Sequence, residues 1–123
     1  MSATEAMEER SEKMAIGCEV VQCYAQLAST VRLMARLAQA GDWGRLPELE
    51  ARCEEIVERL KVIEPLTTLY PAQRQEARRL IECIQRDQMQ VSDAVKPQLE
   101  RLMVTMTSLY QEKNLGDVYG PKH

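Results

Sequence analysis

The stretch Gly41-Asp42-Trp43 separates two segments whose apolar residues recur with helical spacing. Glycine frequently ends helices, because it adopts the left-handed backbone conformation without steric cost. Trp43 is the only tryptophan in a chain that contains no phenylalanine. A lone large aromatic side chain directly after a helix end is expected to fix the corner between two helices. We therefore expect Gly41 and Trp43 to be structural residues.

Apolar stripes on both sides of this corner predict two long amphipathic helices. Before the corner, from about Ser11 to Ala40, the stripe consists of Val20, Tyr24, Leu27, Val31, Met34 and Ala38. After the corner, it consists of Leu46, Leu49, Cys53, Ile56, Leu60 and Ile63. Pro47 suits the first turn of the second helix, and Asp42 is expected to cap that helix.

A third helical pattern begins at Pro71, after a turn that Pro65 and Pro71 bracket. Its spacing changes beside Pro97, where a kink or a break is expected because proline lacks the backbone N–H. An unbroken helix over residues 71–109 would be about 60 Å long and would extend beyond its neighbours. Its second half would then carry apolar surface without cover. The stripe consists of Ala77, Ile81, Ile84, Gln88, Val91, Val95, Leu99, Leu102, Met106 and Leu109.

Together these patterns predict an all-α fold, an antiparallel helical bundle of three long helices plus a short C-terminal helix or tail. We expect one domain over residues 1–123, with a mobile N-terminus at 1–13 and a mobile or regulatory C-terminal segment at 111–123. The net charge of -3 argues against direct nucleic-acid binding. No apolar run approaches the roughly 20 residues that span a bilayer, and the polar N-terminus does not resemble a secretory signal.

The residue types that catalysis and metal binding require are nearly absent. The only histidine is the last residue, His123, so neither a two-metal bundle site nor a Cys-His nucleophile pair can be assembled. The sequence contains no glycine-rich phosphate-binding motif. We expect a protein that is not an enzyme and binds no cofactor or metal. Four cysteines lie within helical patterns without a C-x-x-C pair and are expected to be free thiols: Cys18, Cys23, Cys53 and Cys83.

Apolar surface on the third helix is the remaining candidate for function. Residues 85–94 are polar except for Met89, Val91 and Ala94, so packing is expected to be weak there. We predict a groove between the second and third helices that binds a partner helix, although core filling is the alternative role for each of its residues. The predicted groove residues are Ile56, Leu60, Leu80, Ile84, Met89, Val91 and Val95. A regulatory tail is predicted to compete with the partner for this groove through Leu109, Leu115, Val118 and Tyr119.

Five features occur in a set order along the chain: Gly41-Asp42-Trp43, the second helix, Asp87-Gln88-Met89-Gln90, Leu99-Glu100-Arg101-Leu102, and Asn114 to Gly120. Over residues 14–120 the order and length of these features resemble the FliT family of flagellar export chaperones. The resemblance implies a cytoplasmic bacterial protein of type III export that binds the C-terminal region of the filament-cap protein before secretion. It also implies contacts with the export ATPase complex and, in some relatives, regulation of transcription through the flagellar master transcription regulator.

The alternative reading is a self-associating helical structural or adaptor protein, in which the heptad pattern joins copies of the chain. A homodimer is possible on either reading. Prolines at positions 47, 65, 71 and 97 interrupt the chain and favour a compact bundle over a long rod.

Overall fold

The computed structural model describes residues 3–119 of the chain and the side chains of residues 3–112. It contains three α-helices, α1 (Ala3–Gln39), α2 (Leu46–Ile63) and α3 (Pro71–Tyr119), with a 3-10 turn at Glu64–Leu66. No β-strand occurs among the described residues. The predicted all-α helical bundle is confirmed.

The corner between α1 and α2 is closed by backbone hydrogen bonds around a left-handed glycine. Gly41 has a φ of 75°. Its N–H donates to the carbonyl of Ala38 at 3.1 Å, and the N–H of Asp42 donates to the carbonyl of Leu37 at 2.8 Å. This pair of bonds satisfies the last carbonyls of α1. The expectation that Asp42 caps α2 is wrong, because the capping position is held by Arg45, which makes no side-chain cap hydrogen bond.

Helix α1 lies at the centre of the arrangement, and the other two helices pack on it. Helix α2 runs antiparallel to α1, since Arg59 pairs with Glu19 near one end at 2.6 Å. The following loop is held to α1 by Thr67, whose hydroxyl donates to the carbonyl of Lys13 at 3.2 Å. Helix α3 then starts beside Gly17 and runs in the same direction as α1. Over the described residues, α2 and α3 make no close backbone approach to each other.

The core lies along the inner face of α1, where Val20 is completely buried. On α3 the buried positions include Leu80 and Asp87, so the core face is rotated slightly from the stripe that the sequence predicted. Gln88, which the pattern placed on that stripe, is exposed. The main buried cluster consists of Val20, Cys23, Leu27, Val31, Ile56, Leu60, Ile63 and Ile84.

The helices are offset, so α3 extends far beyond the end of α1. Helix α1 ends at Gln39, and every described side chain of α3 from Lys96 onward is exposed. The predicted break at Pro97 is absent, because α3 continues as an α-helix through this residue. The carbonyl that Pro97 leaves without a helical partner belongs to Asp93, which is exposed and open to water. The C-terminal segment through Tyr119 is accordingly the end of α3 and not a separate short helix or tail.

Candidate partner-binding surfaces

A cleft lies along the first turns of α3, where α3 faces Tyr24 of α1 and the connection that follows α2. Its volume is about 380 Å³. Apolar side chains form its floor, and charged side chains of both signs form its rim. An apolar floor with a charged rim suits an amphipathic helix, which presents one apolar face and one polar face. The lining residues are Tyr24, Glu64, Leu69, Arg74, Ala77, Arg78, Ile81, Glu82 and Gln85.

Tyr24 joins the floor of the cleft to the end of α2. Its hydroxyl donates a hydrogen bond to Oε1 of Glu64, the residue that ends α2, at 3.0 Å. Burial, and then the hydrogen bond and the negative charge of Glu64, raise the pKa of Tyr24 to about 12. The phenol therefore stays neutral and keeps donating at physiological pH. This bond ties α1 to the end of α2 at the wall of the cleft.

The start of α3 is fixed by Gln73, which the sequence analysis did not single out. Its Oε1 accepts a hydrogen bond from the N–H of Tyr70 at 3.0 Å, and the carbonyl of Tyr70 accepts the first helical bond, from Arg74, at 2.8 Å. This is half of a capping box, with Tyr70 at the N-cap and Gln73 three residues later. The signal in the sequence was Pro71 at the first helical position followed by a glutamine two residues on.

Gly17 makes room for this cap. A Cβ atom at position 17 would lie 2.8 Å from Oε1 of Gln73 and 3.0 Å from its Nε2. Nε2 of Gln73 also lies 3.8 Å from Sγ of Cys18. The absence of a side chain at Gly17 therefore lets α3 begin directly against α1.

The structure does not bring the seven predicted groove residues together on one open surface. Ile56, Leu60, Leu80 and Ile84 are buried in the core, and Val91 and Val95 are half-buried. Met89 is 68% exposed. Five residues after Ile84, it is rotated about 140° away from the core side of α3. The cleft itself is lined instead by Ile81 and Ala77 on α3, which the predicted set omitted.

The predicted regulatory tail does not cover the cleft in this conformation. Leu109 is exposed on the part of α3 that extends beyond α1. The side chains of the other three tail residues lie outside the described residues. Backbone positions 109–119 continue α3 away from the cleft.

A second apolar surface lies on the extended part of α3, and we call it the overhang seam. Its six side chains are each more than half exposed, although they share one face of the helix. No described part of the chain packs over them. The overhang seam consists of Leu99, Leu102, Met103, Met106, Leu109 and Tyr110.

The described residues contain no group of histidine, cysteine and acidic side chains arranged to hold a metal ion. Their four cysteines are free, with Cys18 exposed and Cys23 buried. Burial, followed by the charge of nearby glutamates, raises the pKa of the Cys23 and Cys53 thiols. None of the helices over residues 3–119 combines the length and the apolar character that a bilayer crossing requires.

Comparison with known proteins identifies a family that the chain matches. A family model described as flagellar protein FliT matches residues 21–121. No curated protein and no solved structure matches the chain. The family match takes in the corner at Gly41, all of α2 and all of α3, including the overhang seam. Since it covers most of the sequence, the chain belongs to the FliT family.

Proposed function

We propose that this protein is a flagellar type III export chaperone, without enzymatic activity, that shelters an apolar helical segment of the filament-cap protein's C-terminal region. Family membership supports the chaperone role. The cleft formed by α1, α3 and the connection between α2 and α3 is the single observation that supports a helical cargo. Cytoplasmic location, contact with the export ATPase complex and regulation through the flagellar master transcription regulator belong to the same proposal and rest on the family alone.

The geometry of the cleft supports a cargo helix as a fourth member of the bundle. In a four-helix bundle each helix packs against two neighbours, whereas here α2 and α3 share only α1. A helix placed in the cleft would cover Ile81 and Leu69, which are both partly exposed. The rim offers Glu64 and Glu82 to cationic groups and Arg74 to anionic groups of the cargo.

The predicted groove residues enter this proposal in two ways. Val91 and Val95 lie further along α3 than the cleft and are half-buried. Ile56, Leu60, Leu80 and Ile84 are buried and do not line the cleft, so they contact cargo only if the helices move apart. The cargo surface of the closed bundle is therefore centred on Ile81.

Two lysine substitutions on α3 test where the cargo helix lies. Ile81→Lys places a charge in the cleft floor. Met89→Lys places the same charge at an exposed position outside the cleft lining, about 12 Å further along α3 and about 80° around it. We expect Ile81→Lys to weaken binding of a peptide from the cap protein's C-terminal region at least tenfold, since it buries an unpaired ammonium group. Met89→Lys is expected to leave the affinity unchanged. Calorimetric titration measures both, after thermal unfolding has shown that each variant is folded.

If Met89→Lys weakens binding and Ile81→Lys does not, the cargo lies on the surface around Met89 and the proposed cleft site is wrong. Unchanged binding in both folded variants would refute both locations. If the parent protein does not bind the peptide at all, the proposed cargo is wrong.

Regulation by the C-terminal segment also remains part of the proposal. To reach the cleft, residues 109–119 have to fold back, and Pro97 is the position where α3 lacks a helical hydrogen bond. A chain ending near Thr107 would then bind the cargo peptide several-fold more tightly, because the competing segment is gone. Equal affinities of the full chain and the shortened chain would show that the segment does not compete.

A further inference from the structure

Three arginines recur every seven residues from the N-cap of α2 onward, at positions 45, 52 and 59. Since seven residues are close to two helical turns, the three side chains lie on one side of α2. Arg59 has a partner on α1, because it pairs with Glu19 at 2.6 Å. Arg45 and Arg52 are exposed and make no ion pair or side-chain hydrogen bond with the described residues. Two of the three cations are therefore left without a counter-charge.

Helix α1 offers an acidic partner to Arg59 but none to the other two arginines. Gln26 and Leu33 follow Glu19 on the same side of α1, again at intervals of seven residues. Because the two helices are antiparallel, Gln26 and Leu33 line one groove together with the two unpaired arginines. The sequence contains no aspartate or glutamate from position 20 to position 41. The carboxylates that would neutralise this pair of arginines are thus missing from the facing helix.

The groove between α1 and α2 has an apolar floor beneath this cationic rim, and its volume is about 580 Å³. Leu49 is buried in the floor, and Leu33 is half-buried beside it. Thr30 also lies there, but its hydroxyl already donates to the carbonyl of Gln26 at 2.7 Å. Glu48 is the one acidic side chain in the lining. An apolar floor with a net positive rim suits an amphipathic segment that carries negative charge.

This groove is separate from the cleft at Tyr24 and Ile81. The two sites share no lining residue, and no residue of α3 lines the groove. Arg36 follows Ser29 of the lining by seven residues and adds positive charge toward the corner between the helices. A partner in the groove would therefore leave the cleft open.

We propose that the groove between α1 and α2 docks an acidic amphipathic helix of a partner protein, which supplies the carboxylates that α1 lacks. Apolar side chains of that helix would cover Leu33 and Leu49. Two carboxylates spaced two turns apart, roughly 10 Å, would reach Arg45 and Arg52. Guanidinium groups suit this role because they hold carboxylates through two parallel hydrogen bonds. This inference does not depend on the proposed cargo or on its cleft.

The charges around the groove favour an acidic helix over a nucleic acid. Further along α1 the cationic rim gives way to Glu19, Glu12 and Glu8. A phosphate backbone that continued past the groove would be repelled there, and it has no apolar face for Leu33 and Leu49. A short segment with one acidic and one apolar face meets neither difficulty.

Neutral substitutions in the rim test the charge requirement. Arg45 and Arg52 are exposed, and Arg45 makes no side-chain cap bond, so the Arg45→Gln/Arg52→Gln protein should fold like the parent. The probe is a synthetic peptide of about 18 residues, five helical turns, with leucines on one face and glutamates elsewhere. A second peptide carries lysines in place of the glutamates. We expect the full chain to prefer the glutamate peptide, and the double variant to bind it roughly tenfold more weakly, since two ion pairs are lost. Fluorescence anisotropy of the labelled peptides measures both affinities, and thermal unfolding checks the fold.

Gln26→Glu tests the same groove from the side of α1. It places a carboxylate at the position that corresponds to Glu19, so that Arg52 gains a partner within the chain. We expect this variant to bind the glutamate peptide about threefold more weakly, because one rim cation is already neutralised. Gln88→Glu adds the same charge at an exposed position of α3 and is the matched control. It should leave the affinity unchanged.

Several outcomes would overturn the proposal. They are failure of the parent to bind the glutamate peptide, equal binding of the lysine peptide, and unchanged affinity in the folded double variant. If Ile81→Lys weakens binding of the glutamate peptide, the peptide occupies the cleft and not the groove. Tighter binding of a DNA oligonucleotide, lost in the double variant, would assign the groove to a nucleic acid instead. Self-association of the parent that the double variant loses would assign it to a second copy of the chain.

Discussion

The contact between Gly17 and Gln73 makes a quantitative prediction for a double-mutant cycle. Alanine is favoured over glycine within a helix by about 1 kcal/mol, so Gly17→Ala should stabilise α1 if nothing else changes. The new Cβ, however, would lie 2.8 Å from Oε1 of Gln73. The Gln73 side chain has to move, and its 3.0 Å bond to the N–H of Tyr70 is lost. Losing a hydrogen bond of this kind costs about 1 kcal/mol.

These two contributions nearly cancel in the single variant. We expect Gly17→Ala to change the free energy of unfolding by less than about 0.5 kcal/mol. In a Gln73→Ala background the steric conflict is absent, so the same substitution should stabilise the protein by the full amount of about 1 kcal/mol. The coupling between the two positions is therefore about 1 kcal/mol. Urea denaturation followed by circular dichroism at 222 nm measures all four proteins.

A matched control comes from Ser29, which is exposed on α1 and lies more than three helical turns from Gly17. Ser29→Ala and Gln73→Ala should be additive, because the two side chains share no contact. If Gly17→Ala stabilises the parent and the Gln73→Ala protein equally, Gln73 does not need the space above Gly17. The proposed reason for a glycine at this position would then be wrong.

Three further predictions concern single side chains. Trp43 is only partly buried, so Trp43→Ala should lower the free energy of unfolding by about 2 kcal/mol, which is less than the loss of a fully buried tryptophan would cost. A urea midpoint equal to that of the parent would show that Trp43 does not hold the corner. The free energy of unfolding should fall as the pH rises from 10 to 12, because the unfolded Tyr24 loses its proton near pH 10 while the folded one retains it until about 12. Tyr24→Phe should remove this part of the pH dependence, and an unchanged pH profile in this variant would contradict the role of Tyr24. In the folded protein a thiol reagent should modify the exposed Cys18 before Cys23 and Cys53, whose pKa values are raised. Equal rates of modification at the three thiols would indicate an open core.

The amphipathic period determined what the sequence could predict of the fold. The bounds of α2 are the residues where its apolar stripe begins and ends, Leu46 and Ile63. The course of α3 through Pro97 was not predictable in the same way. A proline disrupts a helix through one missing bond, and the cost depends on whether water reaches the freed carbonyl. That exposure follows from where α1 ends, which is a property of the assembled bundle.

The candidate cleft was predictable only in outline. A groove between the second and third helices was expected, whereas the cleft is lined by α1, α3 and the connection between α2 and α3. Which residues of α3 line it depends on the rotation of α3 about its own axis. The heptad pattern placed Gln88 on the inner face, whereas Asp87 is buried instead. A rotation of this size moves Ile81 to the cleft and leaves Ile84 in the core. Periodicity alone does not resolve neighbouring positions on a helix face, because packing against α1 sets the final rotation.

The offset between α1 and α3 gives one helix two regimes of stability. Amide protons of α3 beside α1 should exchange with solvent only when the bundle unfolds, whereas those beyond Pro97 should exchange through local fraying, since no tertiary contact of the described protomer holds them. Helical content measured by circular dichroism would then exceed the part of the chain that unfolds cooperatively. The denaturant m-value should accordingly match a domain of about 80 residues rather than the full chain.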